Sequence, residues 1–100
     1  MSMPYRETFA AHVRLCLLRL LDEAPGREAN SVILHDAVLA YGLKCSRDSC
    51  AAQIAWLAEQ ELVTTRDIAG VVIVTLTARG QDAAHGRAIV PGVRRPGPET

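Results

Sequence analysis

The side chains best equipped for recognition chemistry gather between residues 44 and 53: Lys44, Ser46, Arg47, Ser49 and Gln53. An arginine can donate a pair of hydrogen bonds to guanine, a glutamine can pair with adenine, and a serine serves either a base or a phosphate. Lys44, and Arg66 further along, are cations suited to phosphate. The same stretch holds Cys45 and Cys50, with Cys16 and His35 upstream. Thiolate and imidazole are the ligands of tetrahedral zinc, but the spacing is not C-x-x-C and no fourth ligand is evident. No metal and no other cofactor is therefore expected. Catalytic motifs are missing too. The sequence has no glycine-rich phosphate loop, no nucleophile elbow and no H-E-x-x-H, and nothing in it gathers its serines, histidines and aspartates. An enzyme is not expected.

The elements that must position these residues follow from periodicity. Residues 5–23 read as a helix, free of Gly and Pro inside and bounded by Pro4 and Pro25-Gly26. Phe9, Val13, Cys16, Leu17 and Leu20 share one face of it. Ala11, Leu15 and Leu18 form another stripe, which either buries a central helix on both sides or joins it to a second copy. The homodimer interface is the favoured expectation. Residues 25–29 read as a polar loop. Asn30 or Ser31 can cap a second helix, which Gly42 ends in a left-handed cap. Ser46 caps a third helix running to about Gln60, with Ile54, Leu57 and Ala58 at helical spacing. Trp56, the sole tryptophan, is read as core or half-core.

The period then changes. Residues 62–65 and 71–76 are rich in β-branched residues and frame a turn over residues 66–70, which makes a hairpin. Thr77 caps a last helix reaching about Ala88, weakened by Gly80 and Gly86. The expected fold is mainly α with a small β-hairpin (α+β), in the order α-α-α-β-β-α. A domain over residues 1–88 is followed by an extended Pro/Gly/Arg tail over 89–100.

That order is the arrangement of a winged helix-turn-helix. The stretch SRDSCAAQIAWLAEQELV from Ser46 to Val63 resembles a recognition helix ending in W-L-x-E-x-x-L-V before the first wing strand. Leu76-Thr77-Ala78-Arg79-Gly80 is similar to the L-T-x-x-G step of MarR- and ArsR-like regulators. Taken together, residues 5 to 95 resemble the small winged-helix proteins of Mu-like phages and prophages, sometimes labelled ArsR-like. The resemblance implies a DNA-binding transcriptional regulator of double-stranded DNA. Its third helix would enter the major groove with Arg47, Ser49 and Gln53 at base edges, while Lys44, Ser46 and Arg66 position the backbone.

Charge qualifies that expectation. Eleven Lys and Arg balance eleven Asp and Glu, so the chain has no basic coat with which to neutralise phosphate. Arg47 is flanked by Asp48, and the stretch Ile68-Ala69-Gly70-Val71-Val72 is apolar where a groove-reading wing would carry cations. The alternative is a winged-helix interaction module that meets a protein partner at the apolar wing and does not bind DNA. The basic set Arg79, Arg87, Arg94 and Arg95 is a further electrostatic footprint. No apolar run is long enough for a transmembrane helix and the N-terminus lacks the marks of a signal peptide, so the chain is read as cytoplasmic.

Overall fold

The computed structural model describes residues 3–97. It is an α+β domain of four helices and a three-stranded antiparallel sheet. Helix α1, Met3–Glu23, runs through its centre and touches the later helices and the sheet. Aromatic residues are only 4% of the chain, so small aliphatic side chains must fill the core from every side of one long helix. Val13, Leu17, Leu18 and Leu21 are all buried there.

Within the single chain this packing also takes up most of the second stripe, the alternative that buries a central helix on both sides. Leu18 is fully buried and Leu15 only 6% exposed within the single chain, and Ala11 is half-buried. The Ala11 carbonyl accepts a hydrogen bond from the Arg94 backbone N–H at 3.2 Å. The second stripe is thus covered by the chain itself.

The expected loop after α1 contains a short strand. A 3-10 turn, Pro25–Arg27, leads into β1, Glu28–Asn30. The element order is therefore α-β-α-α-β-β-α. Three residues without a β-branched side chain give no strand signal. The strand exists because the free edge of β3 offers partners, with Glu28 opposite Thr75 and Asn30 opposite Ile73. Strand β2, Val63–Ile68, and β3, Val71–Leu76, form the hairpin, and the sheet order is β1-β3-β2. Arg66, Asp67 and Ile68 belong to the strand and not to the turn. The turn is only Ala69-Gly70, both with positive φ (55° and 85°), the pairing that fits a right-twisted ribbon.

Helices α2 (Ser31–Ala40), α3 (Arg47–Glu59) and α4 (Ala78–Ala84) share one scheme of entry and exit. Asn30, Ser46 and Thr77 cap them by accepting from the backbone N–H of Ile33, Ser49 and Gly80. Each then closes with the crossed bonds of a Schellman motif. In α2 these run from Gly42 to Leu39 and from Leu43 to Val38, in α3 from Glu61 to Ala58 and from Leu62 to Leu57, and in α4 from Gly86 to Ala83 and from Arg87 to Asp82. Gly86, at φ 79°, accordingly stops α4 at Ala84 and not near Ala88.

The segment after α4 packs back onto the domain. Val90 is buried and Val93 lies against the core. Residues 98–100 of the expected tail lie outside the described residues. Among the described residues no helix is long and apolar enough to cross a membrane.

Candidate nucleic-acid interface

The entry to α3 is built from its own sequence. The Ser46 hydroxyl accepts from the Ser49 N–H at 3.0 Å. Cys45 precedes this cap and Cys50 lies one turn beyond it, the positions of a hydrophobic staple that fixes how the chain enters a helix. Cys50 is 2% exposed and belongs to the core, with Cys45 packed against it. His35 holds the approach by donating from Nε2 to the Cys45 carbonyl oxygen at 2.8 Å. The cysteine spacing is therefore that of a helix entry. Burial pushes the Cys16 and Cys50 thiols up to about 11, and raises Cys45 as well. Neutral thiols are poor ligands and poor nucleophiles. Among the described residues, no three or more His, Cys, Asp or Glu side chains are placed to hold a metal ion.

On this frame Lys44, Arg47, Asp48 and Ser49 stand exposed at the start of α3. Neither Lys44 nor Arg47 has a hydrogen-bond or ion-pair partner among the described residues. Further along, the exposed side of α3 carries Ala51, Ala52 and Ala55, ending at Glu59. It is a narrow surface of methyl groups with cations at one end and carboxylates at Asp48 and Glu59.

Three of the sequence-predicted residues are engaged elsewhere. Gln53 turns toward α1, where Arg14 Nε donates to its Oε1 at 2.7 Å. Gln53 and Ser49 border a groove with Phe9, Val13 and Arg14, so Gln53 does not share the outer surface with Arg47. In place of the base edge expected for it, Gln53 thus lies against the half-buried Arg14. Arg66 pairs with Glu28 at 3.2 Å across the outer side of the sheet, and Glu28 also accepts from the Thr75 hydroxyl at 2.9 Å. Its charge is neutralised away from the hairpin tip. Ser46 has its oxygen occupied as the cap. The tip itself presents Ile68 and Val71, 52% and 39% exposed.

Arg14 organises a cluster that the sequence barely announces. Its guanidinium lies 3.9 Å from the centroid of the Trp56 ring. Its Nη1 donates to the Gly92 carbonyl oxygen at 2.9 Å. Desolvation lowers the Arg14 pKa, with Glu7 pulling it back. Gly92 passes over Trp56 so closely that a Cβ there would lie 2.7 Å from the ring. Trp56 is thus half-buried as a platform, with the returning chain and Arg14 upon it. The available signal is an arginine set between Val13 and Leu15 of the long helix.

With this geometry in view, two relatives can be compared. The protein gp26 of Escherichia phage Mu is 54% identical over 85 residues, covering 85% of this chain and 88% of the relative. A Haemophilus influenzae protein is 36% identical over 78 residues, covering 77% of this chain and 76% of the relative. Neither relative's name states an activity. No family model matches the chain, and no solved structure matches it.

Proposed function

The chain belongs to the family of the phage Mu protein gp26, and from that premise we propose that it is a winged-helix DNA-binding protein, a regulator of phage or prophage type. The observation that carries the reading is the exposed start of α3. Lys44 and Arg47 stand there without a hydrogen-bond or ion-pair partner among the described residues, while Arg14, Arg27, Arg66 and Arg87 are held by groups of the fold itself. Helices α2 and α3, joined through residues 41–46, would form the helix pair, and β2 and β3 the wing. The alanines of α3 suit close approach to a groove, where a methyl group meets the thymine methyl. Arg47 would read a guanine, with Ser49 beside it, and Lys44 would hold a phosphate.

The test is fluorescence anisotropy with duplex DNA over a salt series, comparing wild type with Lys44→Ala and Arg47→Ala. A small number of phosphate contacts gives a log–log salt slope of about −2, and Lys44→Ala should reduce it by about 1. Binding that is absent at low salt, or indifferent to both substitutions, rejects the reading. The second reading is a module that docks a protein through the hairpin tip. It is favoured by the exposure of Ile68 and Val71 together with the carboxylates that bracket the α3 surface. Ile68→Ser would abolish that function and leave DNA affinity unchanged.

A further inference from the structure

On the side of α1 carrying His12, Leu15, Cys16 and Arg19, the molecule has a half-open cavity of about 780 Å³. It is bounded by the end of α2, the end of α4 and residues 95–97. The volume falls within the range of about 300–1,000 Å³ typical of small-molecule sites. We propose that this cavity binds a small amphipathic organic anion, with an aromatic or branched aliphatic body and one carboxylate, sulfonate or phosphate group.

The lining carries the argument through its division of labour. Leu15 and Leu20 of α1 line the cavity together with Tyr41 and Leu43, which provides an apolar seat for a ring or short chain. Arg19 and Arg95 line the same space, and their guanidinium groups have no hydrogen-bond or ion-pair partner among the described residues. His12, also without a partner there, is a further donor on the α1 side. The lining acids do not answer these cations. Asp22 accepts from His85 Nε2 at 2.7 Å and from Gln81 Nε2 at 3.1 Å, and lies 3.7 Å from Arg27 Nε. Glu23 is the exposed last residue of α1. The Cys16 thiol is held neutral by burial, so it adds apolar surface and no negative charge. What remains is an apolar seat with arginines available for an anionic group that presents two oxygens to a guanidinium.

The proposal is independent of DNA binding and is tested without DNA. The probes are 1-anilinonaphthalene-8-sulfonate, an aryl sulfonate, and N-phenyl-1-naphthylamine, its uncharged counterpart. Each is titrated by fluorescence into the full chain, into Arg19→Gln, into Arg95→Gln and into the double variant. The sulfonate should bind saturably at one site, about tenfold more weakly for each arginine removed, while the neutral probe keeps its affinity in all variants. Far-UV circular dichroism and thermal melts of the arginine variants should match wild type, which separates a pocket from dye uptake by a loosened core. Amide shifts on saturation should centre on Leu15, Leu43 and Gly86. Unsaturable sulfonate binding, equal affinity in the double variant, or parallel loss of both probes overturns the assignment.

Discussion

Replacing Gly80 by alanine sets helix propensity against packing, and the two give opposite signs. Alanine is favoured over glycine inside a helix by about 1 kcal/mol, and Gly80 lies in α4 with no positive φ to excuse it. On propensity alone Gly80→Ala stabilises. The packing says otherwise. A Cβ at Gly80 would press into the Leu62 carbonyl oxygen and come within 2.7 Å of Leu76 Cδ1. That carbonyl is not free to move, since it accepts from the Thr77 backbone N–H at 3.1 Å and from the Thr77 hydroxyl at 2.9 Å. Overpacking a core costs about 1–3 kcal/mol, and each disturbed hydrogen bond adds about 1 kcal/mol. Against the propensity gain, the net loss is about 3 kcal/mol. For a domain of this size that lowers Tm by about 12–24 °C. Thermal and urea melts followed by circular dichroism measure it. Gly86→Ala is the control, because its φ of 79° is strained but its Cβ would meet only Pro96 at an ordinary 3.6 Å. It should lose about 1–2 kcal/mol. A Gly80→Ala protein as stable as wild type, or more so, would refute the packing argument. It would also leave the L-T-x-x-G step without its physical reason.

Leu15→Glu with Leu18→Glu should unfold the chain and not merely alter its association, because Leu18 is fully buried and an unpaired carboxylate there has no partner; a folded monomer in light scattering and circular dichroism would contradict this. Arg14→Ala should release residues 92–96 from Trp56, raising tryptic cleavage after Arg94 several-fold and shifting Trp56 emission to the red, while the far-UV spectrum stays near wild type. The buried thiols fix a pH dependence. Cys16 and Cys50 sit at about 11 when folded against about 8.5–9 when unfolded, so the unfolded chain loses its protons first. The stability they contribute is complete below pH 9 and falls as pH rises toward 11. Urea midpoints across that window should decline, and at pH 8 Ellman's reagent should modify the buried Cys50 only as fast as the chain opens.

Much of the frame is legible in the sequence, because local rules decide it. Ser46 and Thr77 as caps, Asn30 as one of two candidate caps, and Gly42 as a left-handed stop act on their own neighbours, whereas Gly86 ends α4 earlier than the sequence suggests. What escapes a one-dimensional reading is set by distant partners. Strand β1 exists through the edge of β3. The second stripe of α1 is apolar because α4 and the returning chain cover it, which periodicity cannot tell from a dimer seam. Gln53 looks like a reader from its place one turn beyond Ser49. Only the lateral hydrogen bond from Arg14, a residue 39 positions earlier, shows that it faces inward. Glu61 at φ 62° carries no glycine to mark the end of α3, yet the same crossed bonds close that helix.

The distribution of charge narrows the candidate interface further. Net charge is zero, and five arginines are tied to the fold: Arg14 to Gln53, Arg27 to Asp22, Arg66 to Glu28, Arg79 to the Gln60 carbonyl and Arg87 to Asp82. Most of these contacts are exposed, so each adds little stability. For three of them, Arg27, Arg66 and Arg87, the partner is a carboxylate, so they add little net charge to the surface around them. The hairpin loses its cation in this way through Arg66, and its tip is left apolar. On the proposed reading, contact with nucleic acid would centre on the first turn of α3, where Lys44 and Arg47 are exposed. With so few cations there, such a surface would have weak non-specific affinity, and discrimination between sequences would have to come from the fit of Arg47 and the alanine surface to base edges.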